Sequence, residues 1–202
     1  HQVDLIASGL IAIGVKPRDR VAILDVNSDR QVKLIYGIAR AGGISVPINY
    51  RAKPSEIEFL LNDCEASVVV VGEDYRKTIL SIKANINHQI KLVSFENNEF
   101  TEKWIPFSDI LKQPDCLHPK IASTEHAIIL YTSGTTGRAK GVLLTHQSLV
   151  GKLIDNSFPD IENSEVVLLS MPLYHIAGIH ILLASIYEGR KLSLIHISEP
   201  TR

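Results

Sequence analysis

The residues best suited to chemistry lie in one glycine- and hydroxyl-rich run at 131–142, with the sequence YTSGTTGRAKGV. An apolar run, AIIL at 127–130, precedes it and is typical of a buried strand. Glycine lets a backbone approach a ligand closely, and successive N–H groups in such a turn form a concavity that binds anions. Hydroxyls donate to phosphate oxygens and a lysine adds a point charge. We therefore predict a loop that binds a polyphosphate through Thr132, Ser133, Gly134, Thr135, Thr136, Gly137, Arg138 and Lys140.

A surface turn rich in glycine, serine and threonine is the alternative interpretation of this run, because such turns are common. The length of the pattern and the apolar residues on both sides of it favour the phosphate loop. A Walker-type loop requires a lysine directly after its second glycine. Here Arg138 and Ala139 separate Gly137 from Lys140. The spacing therefore excludes the usual P-loop kinases and GTPases.

The same run, followed by LTHQSL at 144–149, closely resembles the signature of the adenylate-forming superfamily, which includes acyl-CoA synthetases and long-chain fatty-acid–CoA ligases. The resemblance implies ATP-dependent activation of a carboxylic acid to an acyl-adenylate, release of pyrophosphate, and thioester formation with CoA. It also implies that Lys140 is catalytic and holds the leaving pyrophosphate, and that Thr132 or Thr135 helps to hold Mg²⁺. The superfamily commonly has proline where this chain has Ala139. Since proline pre-sets the backbone, we expect alanine to loosen the loop.

A second informative stretch, MPLYHIAG at 171–178, follows an apolar run that predicts a buried strand at 165–170. Ligands of open α/β sheets lie beyond the carboxyl ends of the strands, so this turn and the phosphate loop are expected to face one cleft. A tyrosine–histidine pair alone is normally structural. The superfamily has a similar run that lines its acyl pocket, which implies substrate binding by Tyr174, His175 and Gly178. A general base is not expected at His175, because the chemistry needs no proton taken from a carboxylate.

Strands and helices alternate along the sequence, which predicts an α/β fold with parallel-rich sheets flanked by helices. By resemblance, it is part of the large N-terminal domain of the acyl-CoA synthetase-like fold. The predicted helices start near residues 3, 28, 54, 75 and 145, and the predicted strands cover 20–26, 44–49, 67–72 and 91–95. A short helix at 104–111 is expected to bury Trp104.

The resemblance divides the chain into an incomplete AMP-binding N-terminal domain at 1–191 and a foreign tail at 192–202. That tail, LSLIHISEPTR, resembles translated sequencing-adapter read-through, so His196 and Glu199 receive no role. The superfamily's acidic magnesium residue, its adenine and ribose motifs and its C-terminal catalytic lysine lie downstream. The chain alone is therefore predicted to be inactive.

Composition sets the remaining bounds. The 202 residues are 45% hydrophobic with a formal net charge of -1 and no basic block, which argues against nucleic-acid binding. Cys64 and Cys116 lack a C-x-x-C partner, and the longest apolar stretch, 176–187, is shorter than the ~20 residues of a membrane span. These features favour a cytoplasmic protein, and the resemblance implies that it acts on a small carboxylic acid, ATP and CoA. The chain begins with His1 rather than methionine, so the true N-terminus is expected to be missing.

Two other functions fit the same pattern. One is the amino-acid adenylation domain of a peptide synthetase, which uses a carrier-protein thiol in place of CoA. The other is a non-catalytic relative that binds a nucleotide or a carboxylate. The sequence leaves open which acid is bound, which thiol accepts the acyl group and the oligomeric state.

Overall fold

The computed structural model describes residues 1–96, 104–132, 138–154 and 166–194. Within these ranges the strands are β1 (Arg20–Leu24), β2 (Ile44–Pro47), β3 (Val68–Val71), β4 (Lys91–Ser94), β5 (Ile105–Pro106), β6 (His126–Thr132), β7 (Lys140–Thr145), β8 (Val166–Leu169) and β9 (Lys191–Leu194). The helices are α1 (Gln2–Ala12), α2 (Asp29–Arg40), α3 (Pro54–Asp63), α4 (Arg76–Ile82), α5 (Phe107–Ile110), α6 (His146–Ile154) and α7 (Ile176–Tyr187).

Seven of these strands form one sheet in the order β5-β4-β3-β1-β2-β6-β7. The pairs from β5 to β6 are all parallel, because helices connect most of the successive strands. The last pair, β6 and β7, is an antiparallel hairpin in which Thr132 lies opposite Lys140. Strands β8 and β9 form a separate parallel pair. The predicted α/β class with parallel-rich sheets is confirmed.

Helices cover both faces of the central strands, so side chains of both orientations are buried. Along β1, Ala22 and Leu24 pack into a core with α3 and α4, whereas Val21 and Ile23 pack into a core with α1, α2 and α5. All four valines of β3 are buried, as expected for a parallel strand covered on both faces. The sheet is therefore a rigid support for the loops at the carboxyl ends of its strands.

The predicted helix at 104–111 is wrong in its first half. Ile105 and Pro106 form the short edge strand β5, and only Phe107–Ile110 is helical. Proline cannot donate a ladder hydrogen bond, which is tolerated at the edge of a sheet, and its backbone then leads into the helix. Trp104 is buried as predicted, with 7% of its surface exposed.

The prediction of a buried strand at 165–170 is wrong for half of its residues. Val166 and Leu168 are 52% and 50% exposed, whereas Val167 and Leu169 are buried. In the described part of the chain β8 pairs only with β9, and α7 covers one face of that pair. A run of apolar residues predicts a strand but does not show how many of its faces are covered.

Arg18 has an unusual backbone conformation for a residue other than glycine. Its φ is +71°, in the left-handed region that glycine adopts without strain. The guanidinium makes two hydrogen bonds to Glu125, at 2.8 Å and 2.7 Å. This bidentate pair joins the turn before β1 to the residue before β6.

Cys64 is buried and Cys116 is exposed, and both thiols are free. Burial raises the pKa of the Cys64 thiol to about 11, which keeps it protonated at neutral pH.

In the ranges that the structure describes, no helix has the length and apolar character needed to cross a membrane.

Candidate functional site

A cleft of about 560 Å³ lies between the β6–β7 hairpin and α3. The hairpin contributes Thr132, Arg138 and Ala139, and Tyr174 from the second predicted stretch lies at the same cleft. Residues that are 42 positions apart along the chain, Thr132 and Tyr174, are thus brought to one opening. The other lining residues are Pro47, Asn49, Ala52, Ser55, Glu56, Phe59, Leu60 and Tyr131.

The centre of the predicted phosphate loop, Ser133, Gly134, Thr135, Thr136 and Gly137, lies outside the described residues. Its two ends are described, and the hairpin fixes them as a facing pair. Thr132 lies opposite Lys140, and the Thr132 hydroxyl is 3.5 Å from the Lys140 carbonyl oxygen. Both side chains are exposed. A hydroxyl and an ammonium group are therefore available to a ligand at the base of the loop.

Helix α3 forms the opposite wall of the cleft. The guanidinium carbon of Arg138 lies 5.9 Å from the centre of the Phe59 ring, which holds this cation at the wall. Among the described residues that line the cleft, Glu56 supplies the carboxylate, and its Oε2 accepts a hydrogen bond from the Lys53 backbone N–H at 2.7 Å. That carboxylate is engaged in capping the start of α3.

The turn that carries Tyr174 is held by the side chain of Asn27, which follows β1. The Asn27 Nδ2 donates to the Met171 carbonyl oxygen at 2.9 Å, and its Oδ1 accepts from the Leu173 N–H at 3.0 Å. Asn27 is only 7% exposed, so both hydrogen bonds are shielded from water. Sequence reasoning missed this residue, because its partners are more than 140 positions away.

Tyr174 has an aromatic neighbour that orients its ring. Tyr50, which follows β2, meets it edge to face with 5.8 Å between the ring centres. Partial burial raises the pKa of the Tyr174 phenol, so the group is neutral and able to donate a hydrogen bond at physiological pH.

His175 and Gly178 have local structural roles. The Nδ1 of His175 accepts a hydrogen bond from the Ala177 N–H at 3.2 Å and so caps α7, while the ring itself is exposed. Gly178 is buried, and a Cβ there would lie 2.2 Å from the Pro172 carbonyl oxygen. Neither residue is among those that line the cleft. Substrate binding by these two residues remains a prediction.

Metal binding by Thr132 also remains a prediction. Across the described ranges, no three His, Cys, Asp or Glu side chains come together as a metal site. The Thr132 hydroxyl is exposed at the cleft, where it is able to contact a cation bound to phosphate oxygens.

Comparison with known proteins gives a consistent result. A family model described as "AMP-binding enzyme" matches residues 1–202. The chain is 30% identical over 186 residues to the long-chain-fatty-acid–CoA ligase FadD13 of Mycobacterium tuberculosis, an alignment that covers 91% of the chain and 36% of that protein. It is also 30% identical over 182 residues to the indoleacetate–CoA ligase of Aromatoleum aromaticum, with 88% and 35% covered.

Among solved structures, the N-terminal domain of FACL13 from Mycobacterium tuberculosis is similar to the chain, with a TM-score of 0.79 and 30% identity. That match covers 96% of this chain and 48% of the solved one. The chain spans about a third of the length of the two CoA ligases named above, 36% of the first and 35% of the second.

Proposed function

Because the chain belongs to the AMP-binding enzyme family, we propose that its parent protein activates a carboxylic acid with ATP and then forms a thioester with CoA. The parent protein is the full-length protein that carries this chain. In the first step a carboxylate oxygen attacks the α-phosphorus of ATP, and the bond to pyrophosphate breaks. The observation that carries the proposal is the shared cleft, which is lined both by the base of the phosphate loop and by Tyr174.

The charges at the cleft suit a polyphosphate. Arg138 lines the cleft, and Lys140, which is not among the lining residues, brings a second exposed cation to the end of the loop opposite Thr132. The carboxylate of Glu56 is engaged in helix capping. The Thr132 hydroxyl and the loop N–H groups would complete the contacts to the β- and γ-phosphates. Catalysis of this kind consists of positioning and charge stabilisation, because the reacting groups are all on the substrates. Mg²⁺ would neutralise part of the phosphate charge, with Thr132 as the ligand from this chain.

The carboxylic acid would bind beside Tyr174. The phenol offers a neutral hydrogen-bond donor, and the Tyr50 ring packs edge to face against it. Because Nδ1 of His175 accepts the Ala177 N–H, Nε2 is the ring atom that would donate a hydrogen bond to the acyl-adenylate. The two relatives at 30% identity are named for a long-chain fatty acid and for indoleacetate, so identity does not select the acid.

Two proposals concern the chain as a whole. We assign residues 1–191 to an incomplete N-terminal domain, and we expect no adenylation by the chain alone. Support comes from the 36% of the relative's length that the chain spans. We also assign 192–202 to a foreign tail, although its first residues, 192–194, continue β9 and pair with β8. We also propose a cytoplasmic location for the parent protein, for which the free thiols of Cys64 and Cys116 provide support.

The test is ATP–pyrophosphate exchange by the purified parent protein with a panel of fatty, aryl and amino acids. We expect exchange that depends on a fatty or aryl acid, and an acyl-CoA product once CoA is added. The chain of residues 1–202 alone is the control and should give only background. Exchange with amino acids alone, without a CoA product, would identify a peptide-synthetase domain instead. ATP binding without exchange for any acid would identify a non-catalytic relative.

A further inference from the structure

Both ends of the phosphate loop are attached to the same helix, α3. Tyr131 stands just before the loop, and its Oη donates a hydrogen bond to Asp63 Oδ2 at 2.6 Å. Arg138 stands just after the loop, and its guanidinium packs over the Phe59 ring. These two contacts join the β6–β7 hairpin to α3 on either side of the segment predicted to hold phosphate.

The two contacts with the hairpin are made by the same face of α3. Phe59 and Asp63 are four residues apart, so they project from the same face of the helix. The helix is itself fixed, because Ile57, Leu60 and Leu61 are buried in the core and Glu56 caps its start. The partly buried side chains that pack against that core include Phe59, Tyr131 and Ala139.

The Tyr131 contact is well suited to hold its position. Burial and the hydrogen bond to Asp63 raise the pKa of the Tyr131 phenol, so it remains a donor throughout the physiological range. A hydrogen bond from a hydroxyl to a carboxylate is stronger than one between neutral groups, and 2.6 Å is within its short range. The Asp63 carboxylate thus anchors the strand at the last residue before Thr132.

We propose that α3 sets the position of the paired loop ends relative to the cleft for ATP, and that Asp63 and Phe59 act as positioning residues. This inference rests on the proposed function, since it assumes that the loop binds the phosphates of ATP.

The test compares Tyr131→Phe, Asp63→Asn and the double variant in the parent protein. Tyr131→Phe removes the hydrogen bond between Tyr131 and Asp63, whereas Asp63→Asn weakens it because the acceptor loses its charge. Both changes keep the shape of the side chain. We expect the KM for ATP to rise about tenfold, while the KM for the acid stays within about twofold. The double variant should be no worse than Tyr131→Phe, because both changes act on the same bond. Phe59→Leu, which removes the ring under Arg138, should raise the KM for ATP as well.

Asp109→Asn is the matched control, because it makes the same chemical change far from the cleft. Asp109 lies in α5, at the far edge of the sheet, and its exposed carboxylate pairs with Lys112. Its KM for ATP should not change. An unchanged KM for ATP in Tyr131→Phe and Phe59→Leu would overturn the proposal.

A second readout does not depend on activity. Trypsin cleaves after Arg138 and Lys140, so release of the loop ends should speed cleavage there in Tyr131→Phe and Phe59→Leu, measured well below the melting temperature of each variant. Equal cleavage rates in the wild type and both variants would overturn the anchoring by α3. Faster cleavage in a protein that shows no exchange with any acid would support the anchoring and contradict the proposed function instead.

Discussion

Replacing Lys140 with methionine in the parent protein is expected to lower the rate of ATP–pyrophosphate exchange by about ten- to a hundredfold. Methionine keeps the length and much of the apolar stem of the side chain but removes the cation. The lysine lies at the end of the loop, opposite Thr132, with its side chain exposed. If it holds the departing pyrophosphate, its loss removes one charge-assisted hydrogen bond from the transition state. Steady-state exchange kinetics with saturating acid measure the effect.

Lys112→Met is the matched control for that substitution. Lys112 is equally a surface lysine, and its ammonium pairs with Asp109. It follows α5 and the edge strand β5, at the opposite end of the sheet from β7. Its exchange rate should match the wild type. A loss of similar size in both variants, or no loss in Lys140→Met, would contradict the role given to Lys140.

Replacing Gly178 with alanine is expected to destabilise the protein by about 1–3 kcal/mol, the usual range for overpacking a core. The added Cβ would lie 2.2 Å from the Pro172 carbonyl oxygen and 3.0 Å from that of Met171. Both atoms are backbone, so relief requires the turn to move, and that turn carries Tyr174. We therefore expect a lower melting temperature and a raised KM for the acid, with the KM for ATP changed less.

Gly151→Ala is the control for the alanine change. Gly151 lies in α6, and a Cβ there would meet nothing within 4 Å. Alanine favours a helix over glycine by about 0.5–1 kcal/mol, so this variant should be as stable as the wild type or more stable. The comparison isolates the contact with Pro172 from helix propensity. A Gly178→Ala variant as stable as Gly151→Ala would show that the turn adapts freely.

Local patterns predicted the parts of the fold that depend on neighbouring residues. Ser28 was expected to lead into a helix, and its side chain accepts the Gln31 N–H at the start of α2. A helix is predicted to start near residue 145, and the Thr145 Oγ1 accepts the Ser148 N–H at 3.1 Å at the start of α6. The resemblance carried by the run at 131–142 is confirmed by the family match over the chain. These predictions succeed because caps and motifs are encoded within a few residues.

The contacts that shape the site lie beyond the reach of such patterns. Asn27 holds the turn at Met171, and Asp63 holds Tyr131, across 144 and 68 positions of the chain. Which surfaces meet is decided by packing of the whole domain, and no period or spacing in the sequence encodes it. Tyr131 belongs to the motif at 131–142, and that membership is the one sequence signal for its contact with Asp63. The wall that α3 gives to the cleft had no sequence signal at all.

Hydrogen–deuterium exchange of the parent protein with and without ATP and Mg²⁺ is the most direct test that the segment at 131–142 binds nucleotide phosphate. We predict slower exchange of its backbone amides when ATP binds, and loss of that protection in Lys140→Met at the same ATP concentration. The peptide that contains α5 should not change. Saturated ATP binding that leaves the amides of 131–142 unprotected would contradict the account.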